Sequence, residues 1–411
     1  MRVWHIDHYA APPTRPGITR QYSLARELIR RGHEVTLVAA AFDHRTRQIV
    51  HLRPEEKAKL EQIQGVPFLW TRAFPYQRNS IRRVINMFSF AWRAYKESPK
   101  WIKGPPDIIV GTSPNPFAAL TAYHLANRYG VPFVLEVRDL WPQTLIDLAG
   151  FSHYHPFIVI LSLIERILYR RAQAIITLLP GSQEFIAKKR GNSKNIYWIP
   201  NGVDFDLIPD PVPPPSAPPF TVMYAGAHGL ANGLDIALQA ARRLQEEGWG
   251  ARVQFRFIGD GPEKPRLVHQ ARAWGLQNVI FEDPVPKKEV YPRLQQAHSF
   301  LMILRDSPLF RWGISPNKLF DFMAMARPVL FCVRTPYNPI EEHRAGLTAP
   351  PDNPQALAEA IRTLAQTPAE ERWAMGLRAR AYVEQEHDLR KLAGRFEKVL
   401  LAVIKENELK T

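Results

Sequence analysis

The stretch RDSPLFRWGISPNKLFDFMAMARPVLFCV, residues 305–333, says more about the fold than any other part of the chain. The apolar residues 300–304 before it predict a buried strand, and the polar residues that follow predict a loop leading into a helix. Lys318 and Asp321 stand near the start of this helix, three residues apart and therefore on one face. A strand, a loop and a helix in this order are typical of a parallel α/β sheet.

This helix start has the chemistry of a nucleoside diphosphate site. Unpaired backbone N–H groups and the positive end of the helix dipole attract a diphosphate, and Lys318 would add a mobile charge for the same oxygens. The Asp321 carboxylate could accept hydrogen bonds from the two vicinal hydroxyls of a ribose. An ordinary amphipathic helix with a solvated Lys–Asp pair has the same pattern, so this segment alone leaves both interpretations open.

Strand-like apolar runs alternate with amphipathic helical segments along the whole chain. The runs are residues 3–6, 35–39, 108–111, 133–137 and 174–178, then 221–224, 254–258, 279–281, 300–304 and 329–332. This alternation predicts α/β sheets with helices wound on both faces. Prolines crowd residues 209–219 and predict a stiff linker. We expect an N-terminal domain (1–204), a linker (205–219), a C-terminal domain (220–388) and a final helix (389–411) that could cross back to the N-terminal domain.

Length and composition agree with a two-domain protein. A chain of 411 residues is too long for one ordinary core and predicts two domains of about 200 residues each. The single cysteine, Cys332, excludes a disulfide framework and favours a reducing cytoplasm. A strand-like run begins at once, and the longest apolar run, residues 156–164, is shorter than the roughly 20 residues of a spanning helix. We expect a cytoplasmic protein without a signal peptide or a transmembrane helix.

Positive charge is concentrated in the first half of the chain. Residues 1–200 hold 28 Lys and Arg against 14 Asp and Glu, whereas residues 201–411 hold 26 against 25. Residues 78–103 predict a helix in which bulky apolar side chains recur at helical spacing among basic ones, the composition of a helix that binds an anionic membrane surface. Packing on its own domain with snorkelling arginines is the alternative. No nucleic-acid-binding motif accompanies the segment, so no nucleic acid partner is expected. The residues assigned to the membrane or the acceptor are Arg78, Arg82, Arg83, Phe88 and Trp92.

Residues 305–333 resemble the donor loop of the family 4 glycosyltransferases. In that family a Glu, seven residues and a second Glu precede Ala-Met-Ala, Gly and Pro-Val. Here Asp321 takes the place of the second Glu, while Gly313 and Ala326 stand where the family has its first Glu and its Gly. The string at 315–318 is more similar to the Pro-Ser-Lys-type loop of the subset that transfers 6-deoxy-amino-sugars in O-antigen and capsule synthesis. The resemblance covers nearly the whole chain, through the strings at 31–36, 199–204, 224–226, 232–235, 258–262 and 345–347.

The resemblance implies a GT-B fold, two facing Rossmann-like doubly wound domains, with the nucleotide-sugar donor on the C-terminal domain and the acceptor on the basic N-terminal one. It implies a retaining hexosyl or N-acetylhexosaminyl transfer in cell-surface polysaccharide synthesis, with UDP as the expected nucleotide. A lipid-linked saccharide acceptor would explain both the basic N-terminal half and its membrane-binding helix. The protein would then lie peripherally on the inner face of the cell membrane. Neither a cofactor nor a metal is expected, because the helix and the lysine would hold the diphosphate. The alternatives are a nucleotide-sugar epimerase of the same fold and a non-enzymatic protein that binds nucleic acid or another anion.

Residues at the strand ends facing the expected cleft are the candidate site residues. Many family members have His-Asp after the strand at 133–137, whereas this chain has Arg138, which stays protonated and could hold a phosphate. Glu136 and Asp139 are candidates for orienting the acceptor hydroxyl, and an ion pair of Arg138 with either carboxylate is the alternative. The turn at 226–233 is rich in glycine and suits a phosphate, although the basic residues of the family are here Ala227 and Asn232. The predicted donor-binding residues are Gly17, Gly226, His228, Gly229, Asn232, Val285, Ser315, Asn317, Lys318 and Asp321.

A metal site is not predicted. Residues 204–206, Asp-Phe-Asp, have the Asp-x-Asp pattern of metal-dependent transferases, but they lie at the junction of the domains rather than at a strand end in the cleft. The histidines show no paired spacing on one helix face that would favour a metal.

Overall fold

The structure is a computed structural model that describes residues 1–14, 19–78 and 81–409. Two compact units make up the chain: Met1–Pro200 together with Leu389–Thr411, and Asn201–Asp388. Each unit is built around one largely parallel sheet. Among the described residues, no helix combines the length and the apolar composition needed to cross a membrane.

The first unit contains an eight-stranded sheet in the order β10-β9-β8-β7-β1-β2-β6-β5. Every pair is parallel except the β5–β6 hairpin at one edge. Strands β7 and β8 are buried at every residue, because helices cover both faces of the sheet and apolar side chains are needed on each. The elements up to residue 200 are β1 (Arg2–Ile6), α1 (Arg20–Arg30), β2 (Glu34–Ala40), β3 (Phe42–Asp43), β4 (Gln48–Ile49), β5 (Ala58–Ile63), β6 (Val66–Thr71), α2 (Ile81–Trp101), β7 (Ile108–Thr112), α3 (Pro116–Tyr129), β8 (Phe133–Val137), α4 (Gln143–Ala149), α5 (Pro156–Arg171), β9 (Ala174–Thr177), α6 (Ser182–Arg190) and β10 (Ile196–Trp198).

The second unit contains a six-stranded, all-parallel sheet in the order β13-β12-β11-β14-β15-β16. The direction of winding reverses between the neighbouring strands β11 and β14, with 3-10 turns after them at Leu230–Asn232 and Pro308–Trp312. The remaining elements are β11 (Phe220–Ala225), α7 (Leu234–Glu246), β12 (Val253–Ile258), α8 (Lys264–Ala273), β13 (Val279–Glu282), α9 (Lys287–Leu294), β14 (Ser299–Ile303), α10 (Asn317–Ala324), β15 (Val329–Cys332), α11 (Pro339–Glu342), β16 (Gly346–Thr348), α12 (Pro354–Gln366), α13 (Ala369–Glu386) and, back in the first unit, α14 (Leu389–Glu408).

The chain is divided at slightly different positions from those that the sequence predicts. The first unit ends at Pro200 instead of residue 204, and the predicted linker 205–219 belongs to the second unit. Two arginines hold this proline-rich segment: Arg380 Nη1 donates to the Pro209 carbonyl (3.0 Å) and Arg327 Nη1 to the Val212 carbonyl (2.7 Å). The final helix, α14, belongs to the first unit, where its apolar face, including Phe396, is buried in the core with strand residues of β1, β7 and β9.

Candidate functional site

The carboxyl ends of β11 and β14 bring most of the predicted donor residues together. Doubly wound sheets bind ligands where the strand order reverses, and these two strands mark that place in the second unit. The glycine-rich turn 226–233 follows β11, and the loop after β14 leads into α10. Pro316 is the N-cap of α10, with extended backbone (φ −77°, ψ 130°) and no side-chain hydrogen bond to the first turn. The first N–H groups of α10 are therefore not capped by this residue.

Lys318, in the first turn of α10, places an ammonium group among neutral partners. Its Nζ donates to the Tyr224 hydroxyl (2.7 Å) and to the Asn232 side-chain oxygen (2.5 Å), and lies 4.5 Å from the centre of the Tyr224 ring. Burial lowers the pKa of Lys318 to about 7. Across the described part of the chain, no carboxylate forms an ion pair with this group. A buried ammonium without a negative partner favours the binding of an anion beside it.

Close backbone packing supports the turn 226–233. A Cβ on Gly259 would lie 2.0 Å from the Gly226 carbonyl oxygen, and one on Gly261 would lie 2.4 Å from the His228 carbonyl oxygen. The His228 N–H donates to the Asp260 carbonyl at 2.8 Å, which joins the two loops. The loop after β12 thus supports the turn at distances that side chains would prevent, which explains the glycines at 259 and 261.

The side chain of His228 does not carry the positive charge that a diphosphate would need. The residue is fully buried, and neither ring nitrogen has a hydrogen-bond partner. Burial, with contributions from Lys264 and Lys318, lowers the pKa of His228 to about 4, so the ring is neutral near pH 7. Because the Asn232 side chain holds Lys318, the turn offers a diphosphate chiefly backbone groups, including those of Gly229, instead of the side-chain contacts that the sequence suggests.

Asp321 lies one helical turn after Lys318. Its Oδ1 accepts a hydrogen bond from the Tyr291 hydroxyl at 3.2 Å, and burial together with this carboxylate raises the pKa of Tyr291. Val285, in the loop after β13, packs half-buried against the same apolar cluster that contains Tyr291 and Leu319. Val285 contacts this core cluster directly, and Asp321 is joined to it through the hydroxyl of Tyr291.

Backbone conformation explains one of the two differences from the family pattern, at Gly313, but not the other, at Ala326. Gly313 has φ +91° and ψ 178°, a conformation that strains any side chain, so the chain could not carry a Glu there without cost. Ala326 has φ +53°, in the left-handed region that favours the glycine of the family.

Ser315 accepts from the Asn201 N–H (3.1 Å) and its carbonyl accepts from the Asn201 side chain (2.6 Å), which gives it a structural task. Asn317 is exposed at the start of α10.

In the first unit, Arg138 lies opposite an acid that sequence reasoning missed. Arg138 follows β8, and its Nη1 is 3.6 Å from Oδ2 of Asp7, which follows β1. The Asp7 Oδ2 and the Arg138 Nε and Nη1 atoms are buried without hydrogen-bond partners. Burial raises the pKa of Asp7, although Arg138 acts in the opposite direction. The pair is close enough to interact and too far apart to hydrogen-bond, so a small polar group could join it. The position of Asp7 directly after the first strand was the available signal.

Glu136 is placed differently from the acceptor-orienting role that the sequence predicts. It is fully buried and accepts from Arg20 Nε (2.8 Å), Gln21 Nε2 (2.9 Å) and Thr112 Oγ1 (3.2 Å). Burial acts to raise its pKa, but Arg20 and the neighbouring histidine hold the pKa of Glu136 well below its usual range. Arg20 also donates to the carbonyls of residues 199 and 200. Glu136 is thus a positioning residue for Arg20, whereas Asp139 is exposed at the strand end.

The other predicted residues are distributed as follows. Gly17 lies outside the described residues. Arg78, Arg82, Phe88 and Trp92 are exposed, as a surface contact requires. The prediction that Arg83 contacts the membrane is corrected, because Arg83 is half-buried and turned inward. Its Nε is buried without a hydrogen-bond partner, beside the buried hydroxyl of Tyr9 in the loop after β1.

A metal-binding cluster is not found within residues 1–14, 19–78 and 81–409, where no three His, Cys, Asp or Glu side chains lie close enough to hold an ion. In the Asp-x-Asp string, Asp204 Oδ1 accepts from the Asp206 N–H at 3.3 Å. The expectation of a metal-free site stays a prediction.

Comparisons with known proteins give two successive family matches. Residues 17–202 match the model of the glycosyl transferase 4-like domain, and residues 219–367 match that of glycosyl transferases group 1. WcaI of Escherichia coli (strain K12), assigned as a glycosyl transferase of colanic acid biosynthesis, is 22% identical over 313 residues, which are 72% of this chain and 75% of that protein.

Solved structures with a similar fold include two that cover nearly the whole chain. Sucrose-phosphate synthase from Thermosynechococcus elongatus has a TM-score of 0.73 and 15% identity, covering 98% of this chain and 99% of that one. HepE of Anabaena, solved in complex with UDP-glucose, has a TM-score of 0.66 and 14% identity, covering 98% of this chain and 100% of that one. At these identities the likeness establishes the fold.

Proposed function

Because the chain belongs to the family 4 glycosyltransferases and has their GT-B fold, we propose that it transfers a sugar, with retention of anomeric configuration, from a UDP-linked donor to a lipid-linked saccharide. The observation that carries this proposal is the Lys318 ammonium, buried at the start of α10 and held by a tyrosine and an asparagine. A diphosphate beside it would supply the missing negative charge and could also accept from the first N–H groups of α10.

The two charged residues of α10 are assigned to two successive parts of the donor, the diphosphate and the ribose. Lys318 binds the diphosphate, and Asp321, one turn further along and oriented by the Tyr291 hydroxyl, accepts from the ribose hydroxyls. Val285 lies against the cluster that supports Asp321 and is assigned to the nucleoside. The complex of HepE with UDP-glucose supports UDP as the first nucleotide to test.

The reaction needs stabilisation of the leaving diphosphate. The bond between the anomeric carbon and the diphosphate oxygen breaks, the acceptor oxygen bonds to that carbon from the same face, and the acceptor proton passes to the leaving diphosphate. Lys318 and the start of α10 stabilise the developing charge, so the transfer is metal-independent. In the first unit Arg138, held near Asp7, binds a phosphate of the acceptor.

The acceptor is assigned from charge and from a relative. Residues 1–200 hold 28 Lys and Arg against 14 Asp and Glu, which is +14 of the net +15, and the exposed Phe88 and Trp92 stand among basic residues on α2. The assignment of WcaI to colanic acid biosynthesis supports the proposed role in cell-surface polysaccharide synthesis. We place the protein on the inner face of the cell membrane, bound peripherally, with no nucleic acid partner and no cofactor.

The donor assignment is tested by measuring the melting temperature of the protein with each member of a panel of nucleotide sugars. A ligand that binds the folded state stabilises it and raises the melting temperature. UDP should raise the melting temperature of the wild type and should not raise that of Lys318→Met. NMR of the product should show the donor's anomeric configuration, and activity should survive EDTA. An inverted product, or activity that EDTA abolishes and Mg²⁺ restores, would contradict the mechanism. UDP release with an epimerised sugar and no acceptor would indicate an epimerase instead.

A further inference from the structure

Helix α5 presents an apolar face to solvent that the proposed activity does not use. Its inner face, which includes Leu161 and Leu168, is buried. On the opposite face, Val159, Ile160 and Leu163 are 52%, 53% and 59% exposed. Large apolar side chains that recur at helical spacing are normally buried against the rest of the protein. Their exposure on one face of α5 therefore indicates a binding surface.

This face and the exposed face of α2 belong to one layer of helices, with α3 between them. Helix α3 packs against both α2 and α5 on the same side of the sheet. The Phe88 ring of α2 meets the Phe117 ring of α3 edge to face, with ring centres 6.0 Å apart. The three helices form one layer, whose outward side chains define a surface that we call the outer helical face.

The charges of the outer helical face have one sign. Helices α2, α3 and α5 contain two carboxylates, Glu97 and Glu165, and both are buried and paired with lysines. The exposed charged residues of the three helices are all basic: Arg82, Lys96, Lys100, Arg128, Arg166, Arg170 and Arg171. An apolar surface whose exposed charges are all positive is complementary to an anionic lipid surface, and a second copy of the same face would repel it.

On α5 the most exposed apolar residues and the basic residues are also separated along the helix. Each of the three helices connects parallel strands and therefore begins at the carboxyl edge of the sheet. The three most exposed apolar residues of α5, Val159, Ile160 and Leu163, lie in its first half, whereas Arg166, Arg170 and Arg171 lie in its second half beside Ile167, which is 36% exposed. The apolar part is thus nearer the edge that carries Arg138.

We propose that α5 is a second membrane-docking helix and that the outer helical face of α2, α3 and α5 binds an anionic lipid surface with the carboxyl edge of the sheet towards the lipid. The apolar first half of α5 enters the interface while its arginines contact phosphate headgroups. This inference deepens the peripheral membrane association proposed above and rests on it, but it does not depend on the donor chemistry. A lipid-anchored acceptor would then reach Arg138 from the membrane.

Flotation of the full chain with vesicles tests the proposal. The wild type should float with phosphatidylcholine vesicles that contain phosphatidylglycerol and should not float with phosphatidylcholine alone. A variant with Val159→Glu, Ile160→Glu and Leu163→Glu should bind at least tenfold more weakly. A second variant, with Arg166, Arg170 and Arg171 each changed to Gln, should lose roughly a hundredfold in the vesicle partition coefficient at low salt.

Leu401→Glu is the matched control. Leu401 is 45% exposed on α14, which packs with α1 against the opposite face of the same sheet, so its substitution should leave flotation unchanged. A cooperative thermal transition close to that of the wild type shows that the variants are folded, and UDP-induced stabilisation should be equal in all of them. Equal flotation of the wild type and both α5 variants would overturn the proposal, as would a wild-type dimer that the α5 variants dissociate without any change in flotation. Flotation that follows the α5 variants supports the proposal even if UDP fails to bind.

Discussion

Binding of UDP should take up a proton at Lys318. In the ligand-free protein burial lowers the pKa of Lys318 to about 7, from 10.5. A diphosphate a few ångströms away favours the charged form and should return the pKa towards its ordinary value. Between these two values, binding requires protonation of a neutral amine. The affinity should therefore fall by almost a factor of ten for each pH unit, or roughly a hundredfold (about 2.7 kcal/mol) between pH 7.5 and 9.5.

Isothermal titration calorimetry measures this coupling directly. Repeating the titration at pH 8.5 in buffers with different ionisation enthalpies gives the number of protons taken up, which should be close to one. The terminal phosphate of UDP, with a pKa of about 6, is fully ionised throughout this range and does not contribute. Lys318→Arg keeps a permanent charge and should bind with little pH dependence. A wild-type affinity that is constant from pH 7.5 to 9.5, or an equal slope in Lys318→Arg, would refute the reasoning.

The lowered pKa of Lys318 also predicts how the free energy of unfolding depends on pH. Because the pKa of Lys318 is lower in the folded state than the unfolded value of 10.5, the unfolded chain binds more protons between pH 7 and 10.5. The free energy of unfolding attributable to this group should rise with pH across that window. The full shift corresponds to at most about 5 kcal/mol, which residual solvent contact reduces. Lys318→Met should remove this dependence, and equal pH profiles for the two proteins in denaturant unfolding would contradict it.

Three further substitutions test other parts of the site. Asp321→Ala should weaken UDP binding by roughly 1.5 to 3 kcal/mol through loss of a charged hydrogen-bonding group, and unchanged affinity in calorimetry would remove it from the ribose site. Asp7→Asn should lower kcat at least tenfold, because it removes the charge opposite Arg138, while UDP affinity stays constant; an unchanged kcat would exclude the pair from the reaction. Ala326→Gly should raise the free energy of unfolding by about 1 kcal/mol, because φ is +53° there, and a lower melting temperature would show that this strain is absent.

Buried parallel strands are the part of the fold that the sequence predicts well. The run 133–137 is β8, and the run 300–304 lies within one residue of β14. Strands β5 and β6 are missing from the prediction. In β5, Lys59 and Glu61 alternate with less polar residues because the strand lies at the sheet edge with one side in solvent, and β6 contains Pro67. Residues 66–70 of β6 are all apolar, and Gln64 and Gly65, both with positive φ, form a two-residue turn between the strands, so the hairpin had a local signal that the prediction did not use.

The site was predictable where one helix carries the residues. Lys318 and Asp321 stand three positions apart, so spacing alone places them on one face. Burial was not predictable: His228 follows a strand like any ligand-binding loop residue, but the backbone of the neighbouring loop encloses it. The partner of Arg138 was also missed, because Asp7 is 131 positions earlier in the chain and only the pairing of β1 with β7 and β7 with β8 brings the two strand ends near each other.

The return of α14 to the first unit makes the second unit an insertion within the first. The two connecting segments run side by side, since the Val203 N–H donates to the His387 carbonyl at 2.8 Å. A chain that ended at Pro200 would lack α14 with Phe396, and part of the hydrophobic core of the first unit would be exposed to solvent. A chain in which a short turn joined Pro200 to Leu389 would keep α14 and cover that core. Recombination that exchanged the second unit between relatives would therefore have to cut the gene at two places, on either side of an insert.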